Sequence, residues 1–499
     1  MRTDYIKITG MAIGLIFLAG CKKLIAINEP INTLTTTEVF SSEAQAESSL
    51  AGLYAYLITP GGEYFGNGGM TLYAGLSSDE LSSFSGSAFP LNYEFESNQL
   101  VSTNTTVDGI FWEPLYKEVY YANAVLDGVA NAPSSALSDS ARNQLNGEAK
   151  FVRAFCYFYL TNLFGDVPMP LSIDFNKTEL LARTPQAQVY DQIVQDLKDA
   201  QSILPGDYAV ANGEHIRPNK WAATALLARA YLYVSDWTDA AQQASSVIAS
   251  GQYSLLPNLA QVFLKNSTES IWQLQPSSSV YPYGGYDPNN FNAQFSWAAT
   301  VPAAFSSIYL VPATFDQYAA LFLPTFYLSP SASAAFEQGD QRRALWTGYT
   351  PTPAAAPWTG DTILWSTKYT TAANQGGITQ YYMVLRLAEQ YLIRAEAEAE
   401  GNNLSAAAAD INIIRNRAGL SNTTATSQSD LLAAVAQERR VELFAEWGHR
   451  WFDLKRTGNA NATLDTLSYK QPWKSTQLLY PIPVSELTTD PHLIQNSGY

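Results

Sequence analysis

The chain has 499 residues, enough for about three domains or one large helical assembly with insertions. Hydrophobic residues make up 46% and charged residues 15%, which excludes disordered and fibrous classes and leaves room for a large core. A net charge of −16 opposes a nucleic-acid partner, because phosphates need clustered cations, and three His with two Cys argue against a zinc ribbon or His-rich metal site.

Residues 1–20 read as an export signal, with Arg2 and Lys7 at the positive end and an apolar stretch of 12 residues, Ile8 to Ala19. That stretch is too short to span a bilayer, which takes about 20 residues. It closes on Leu18-Ala19-Gly20-Cys21, which looks like a bacterial lipobox, so Cys21 is expected to be the lipid-modified N-terminus after cleavage. Apolar spacing then predicts helices over 43–58, 108–130, 139–164, 186–203, 218–235 and 238–249. Cys156, in an aromatic helical stretch, reads as a small core residue.

Between the first two helices, residues 60–99 carry a glycine cluster with Tyr64, Phe65, Tyr73, Phe84, Phe89, Tyr93 and Phe95. The glycines lack the spacing of a dinucleotide-binding loop. Within this stretch Asp79-Glu80 is the most suggestive acidic pair, but adjacent side chains diverge, whereas a glycosidase needs facing carboxylates. The pair reads as a solvated loop or helix-start feature, or as a polar contact to a ligand. The segment from Tyr281 to Thr370 differs again: 90 residues hold 19 aromatics, nine prolines and eight charged residues. Proline at that density defeats long helices and predicts loops, short helices and a few short strands.

Helices resume over 383–400, 404–418 and 430–447. In the first, Val384, Leu387, Ala388, Tyr391, Leu392, Ala395 and Ala399 match a 3.6-residue period. Glu438, Glu442 and Glu446 then form a column at intervals of four, with Arg439 in reach of Glu442 and Arg450 in reach of Asp453. This run reads as an ion-pair network fixing the last long helix and the turn after it. His449 has no nucleophile partner legible in sequence. Phe151-Val152-Arg153-Ala154, Leu227-Ala228-Arg229-Ala230 and Leu392-Ile393-Arg394-Ala395 repeat one local pattern at spacings of 76 and 165 residues. Such paired helices resemble tetratricopeptide units interrupted by long insertions.

Several blocks in order give the chain a strong resemblance to the SusD/RagB family. They include Cys21-Lys22-Lys23 with Glu29-Pro30, Gly52-Leu53-Tyr54, Trp112-Glu113-Pro114-Leu115-Tyr116 with Asn123, and Glu148 to Ala154. They continue through Phe164 to Pro168, Arg386 to Glu389 with Ala395 to Ala397, Glu438 to Arg456, Tyr480-Pro481-Ile482-Pro483 and Gln495 to Tyr499. The resemblance implies a mainly α fold, a right-handed superhelix of four tetratricopeptide-like helix pairs carrying a loop-rich insertion. It implies a lipoprotein exposed on the outer membrane, without catalytic activity; no cofactor or metal-ligand set is named from the sequence, which leaves open whether a calcium ion assists. Such a protein captures an oligosaccharide, or in some members a peptide, and delivers it to a SusC-like TonB-dependent transporter. The expected regions are a signal peptide over 1–20, an N-terminal helical region over 21–270 with a ligand loop near 60–100, a ligand-binding insertion over 271–382, and a C-terminal helical region over 383–499.

A sugar presents C–H patches on its ring faces and hydroxyls at its rim, so its site needs exposed aromatic platforms flanked by polar groups. Candidate platforms are Phe84, Tyr93, Tyr281, Tyr283, Tyr286, Trp297, Trp346 and Trp358, with Asp79, Asn92, Asn289, Asn290 and Arg342 as polar contacts. The Tyr281 to Tyr286 run is the best single candidate, because Pro282, Gly284 and Gly285 hold three rings on a turn. Alternatives are an oligopeptide binder of the same family and a scaffolding repeat protein without a small ligand.

Overall fold

The computed structural model describes residues 36–58, 64–83, 90–276, 311, 324–355, 359–369 and 379–499. Its long helices are α1 (Glu43–Leu57), α2 (Gly69–Ser77), α3 (Glu113–Asn131), α4 (Asp139–Phe164), α5 (Gln186–Ile203), α6 (Lys220–Tyr233), α7 (Trp237–Ala249), α8 (Leu387–Glu400), α9 (Leu404–Arg417), α10 (Gln428–Glu442) and α11 (His449–Arg456). The starts follow from capping chemistry. The side chains of Ser138, Asn219, Asp236 and Ser427 accept from backbone N–H groups in the first turns of α4, α6, α7 and α10. Gly165 ends α4 at φ 77°, a conformation costly for a residue with a Cβ.

From α3 to α9 each long helix packs on the next. The contact of α7 with α8 joins helices separated by more than a hundred residues of insertion. The fold is mainly helical, as expected. The repeated arginines explain the pairing. Arg153 on α4 forms a fork with Asp196 on α5 at 2.7 and 2.8 Å, Arg229 on α6 with Glu389 on α8 at 2.7 Å, and Arg394 on α8 with Asp410 on α9 at 2.7 Å. Each fork thus locks one helix to another with a two-pronged, charge-assisted contact. Cys156 is fully buried in α4 among aromatic residues.

Among the described residues six short strands decorate this scaffold: β1 (Leu81–Ser83), β2 (Ser270–Leu274), β3 (Phe326–Leu328), β4 (Thr347–Pro351), β5 (Thr362–Ser366) and β6 (Tyr382–Arg386). They pair antiparallel as β1–β3, β2–β6 and β4–β5. Strand β6 corrects the expected helix start at 383. Tyr-Met-Val-Leu-Arg is buried on both faces, and a short apolar run of that kind satisfies a helical count by coincidence. The helix expected over 430–447 also stops early, at Glu442. Beyond it Ala445, Trp447 and Gly448 take φ of 51°, 48° and 72°. That tight turn is held because the Ala445 and Trp447 N–H groups donate to Glu80 and Thr71.

Candidate functional site

The β1–β3 ladder joins the two aromatic-rich insertions, with Leu81 opposite Leu328, Ser82 opposite Tyr327 and Ser83 opposite Phe326. The seam continues on its inner side, where Ser329 donates from its N–H to the Glu80 carbonyl at 2.9 Å and from its hydroxyl to the Asp79 carbonyl at 2.5 Å. The Asp79 carboxylate fixes the seam to the helices. It accepts from Arg450 at 2.6 Å, Arg440 at 2.8 Å and Ser331 at 3.0 Å. Burial alone would raise its pKa, but the two guanidinium groups hold it below the ordinary carboxylate value.

Asp79 is therefore corrected as a ligand candidate: it is 1% exposed and its acceptor sites are committed to protein. Arg342 is corrected likewise. Its guanidinium is fully buried and donates to Asp340, Glu438 and Glu442 at 2.8 to 3.2 Å. Trp346 is 1% exposed, its indole N–H donates to the Leu259 carbonyl at 2.9 Å, and the Lys368 ammonium stands 4.7 Å from its ring centroid. The physical reason is shared: Phe326, Leu328, Trp346, Leu364 and Tyr369 join the same buried core as the scaffold helices, so a loop-like composition there does not mean exposure.

Tyr93 is exposed, on the short helix Pro90–Glu96 that follows the seam, and Asn92 beside it is half-buried. Phe84, Tyr281, Tyr283, Tyr286, Asn289, Asn290, Trp297 and Trp358 lie outside the described residues, as does Cys21. One ring that the sequence reading passed over is Tyr349 on β4, half exposed. Strand β5, paired to β4, packs on β3, which puts Tyr349 in the same cluster of strands. The alternation Thr347-Gly348-Tyr349-Thr350 was the available signal, and Gly348 is required because a Cβ there would meet the Trp365 ring at 2.5 Å.

Behind the seam the acidic column does structural work of the expected kind with different partners. Glu442 accepts from Arg386 at 2.6 Å, and also pairs with Arg417 and Arg342; Glu446 takes Arg386 at 2.8 Å and Lys368 at 2.6 Å; Glu438 takes Arg415 at 2.7 Å. Arg439 reaches Asp453 and Arg450 reaches Asp79, in place of the expected Glu442 and Asp453. His449 is buried and held well below its ordinary pKa, first by burial and then by neighbouring arginines. Burial pushes Glu80 up to about 7, and one of its oxygens has no partner among the described residues. Lys470 donates to the Leu76, Ser77 and Glu96 carbonyls at 2.9 to 3.2 Å, capping the end of α2 beneath the seam.

Among the described residues no group of three His, Cys, Asp or Glu side chains could hold a metal ion, and no helix is long and apolar enough to cross a membrane.

Known proteins resemble this chain from end to end. A model of the SusD family matches residues 332–499, and one described as "Starch-binding associating with outer membrane" matches residues 72–232. A SusD-like protein of Formosa agariphila is 28% identical over 530 aligned residues, covering 96% of this chain and 97% of its own length. The fold is similar to that of a SusD superfamily protein from Bacteroides vulgatus, with a TM-score of 0.75 at 21% identity over 92% of this chain and 100% of the other. It is also similar to a laminarin-binding SusD-like protein, with a TM-score of 0.71 at 24% identity over 92% of this chain and 100% of that one. Scaffold, ordered motifs and the insertions joined at one seam agree with these likenesses, and the chain belongs to the SusD/RagB family.

Proposed function

We propose that this protein is a surface-exposed lipoprotein, anchored to the outer membrane through Cys21, that binds oligosaccharide or polysaccharide fragments and passes them to a SusC-like TonB-dependent transporter without transforming them. The observation that carries this reading is the β1–β3 ladder, which ties the 60–100 insertion to the 271–382 insertion. Tyr93, on the helix after β1, and Tyr349, on β4 whose partner β5 packs on β3, thereby come from two distant parts of the sequence to elements joined at this seam, and a sugar is gripped on its faces and hydrogen-bonded at its rim. The ligand set retained is Tyr93, Asn92, Phe84, Tyr281, Tyr283, Tyr286, Trp297 and Trp358, with Tyr349 added. Support for the sugar class comes from the family description as starch-binding and from the laminarin-binding structural relative.

The test is native affinity electrophoresis of residues 22–499 in gels containing starch, laminarin and other plant, microbial and host polysaccharides, with a peptide mixture assayed in parallel. Retardation by one glycan class, weakened roughly tenfold in Tyr93→Ala and Tyr283→Ala, is the expected result. Binding of peptides with no glycan retardation would replace this reading with the oligopeptide one, and binding of neither would leave a scaffolding role. In cells, Cys21→Ala is expected to release the protein from the outer membrane fraction with glycan binding intact; retention in that fraction would refute the lipid anchor.

A further inference from the structure

At the start of α3, rings recur at intervals of four, Trp112 buried against the core, Tyr116 half-buried and Tyr120 exposed. They line a cavity of about 530 Å³ together with Tyr121. A six-residue π-helix, Val107–Trp112, feeds the first of these rings into place, a wide turn that recurs at functional sites. The Trp112 and Tyr116 ring centroids lie 4.9 Å apart, and Tyr120 is half exposed. The facing wall is pinned: the Tyr116 hydroxyl donates to the Pro168 carbonyl at 2.8 Å, and Tyr157 and Asn123 donate to the Pro170 carbonyl at 2.7 and 2.9 Å.

Four carboxylates, Glu113, Glu179, Glu486 and Asp490, line this cavity against a single lysine, Lys117. The Lys117 ammonium is already seated 4.5 Å from the Tyr56 ring centroid. None of the four forms an ion pair with Lys or Arg among the described residues, Asp490 standing 3.5 Å from the His492 ring instead, whereas Glu442 and Glu446 behind the seam are matched by arginines. Burial, with the neighbouring Asp108, Glu113 and Asp490, pushes Glu486 up against the opposing hydrogen bond from the Trp112 side chain. Ring faces attract cations and carboxylates complete their coordination, while a cavity of this size takes a whole residue or monosaccharide.

We propose that this groove between α3, the 168–181 loop and the helix Val484–Thr489 binds an organic cation, an ammonium or guanidinium group carried on a sugar or side-chain framework. This assignment is independent of the glycan site at the seam. The test is isothermal titration of residues 22–499 with a deacetylated glucosamine trisaccharide, its fully N-acetylated counterpart, and a short neutral-ended lysine peptide. Saturable binding of a cationic probe is expected, with the N-acetylated sugar at least about tenfold weaker and with Tyr120→Ala and Glu486→Gln each losing roughly tenfold. Tighter binding of the amino sugar identifies a glycan-borne cation, and tighter binding of the peptide identifies a side chain. Tyr120 is on the surface and Gln preserves the shape of Glu486, so both variants stay folded. The proposal is overturned if neither cationic probe binds, if the N-acetylated sugar binds equally well, if both variants keep wild-type affinity, or if Tyr93→Ala loses as much.

Discussion

Arg386 donates to Glu442 at 2.6 Å and to Glu446 at 2.8 Å, and all three side chains are buried. Burial alone would raise Glu442, yet Arg417, Arg386 and Arg342 hold it well below the ordinary carboxylate range. Removing one partner of such a cluster leaves uncompensated charge in the interior. Arg386→Met is therefore expected to destabilise the fold by about 3 to 5 kcal/mol, measured by urea denaturation near neutral pH. Glu80 behaves in the opposite sense, because burial pushes its folded pKa up to about 7 against an ordinary value of 4.5. With the folded value raised, its contribution is fully present below the unfolded pKa and is lost as pH rises through about 7. Glu80→Gln, which keeps an acceptor for the Ala445 N–H, should thus gain on the wild type between about pH 5 and pH 8, by up to about 3 kcal/mol. Equal urea midpoint differences at both pH values would refute this.

Among the elements, the turn between α10 and α11 shows how local geometry and packing decide together. Gly448 sits at φ 72°, and a Cβ there would lie 2.5 Å from the Ala74 Cβ on α2. Gly448→Ala is expected to cost about 2 kcal/mol or more, read as a lowered thermal midpoint, while Gly458→Ala, at the same φ in open space, should cost about 1 kcal/mol. The long helices were legible in sequence, α4 and α5 to their end residues, because caps and a 3.6-residue period are local properties. Strand β6 was not, since its identity comes from pairing with β2 more than a hundred residues away. At the candidate site, the sequence misassigned Asp79, Arg342 and Trp346, since residue type does not reveal which side of a loop faces inward.

The whole molecule is held by contacts that cross the long insertion. One apolar cluster runs from Phe40 to Leu493, strand β2 pairs with β6, Arg229 clamps Glu389, and Asp79 clamps Arg440 and Arg450. Residues 22–276 and 324–499, co-expressed as separate chains, are expected to co-purify as one soluble complex and to be insoluble when expressed singly. Recovery of either fragment as a folded monomer would refute this interdependence. By itself the sequence determined the helical class, the family and the acidic column, because periodicity, caps and ordered motifs are written in neighbouring residues. Only the tertiary structure decided which arginine meets which carboxylate, that β1 and β3 bring two distant insertions to one seam, and that Tyr93 and Tyr349 face solvent where Trp346 does not. Those outcomes depend on long-range packing, in which a side chain's role is set by neighbours hundreds of residues away.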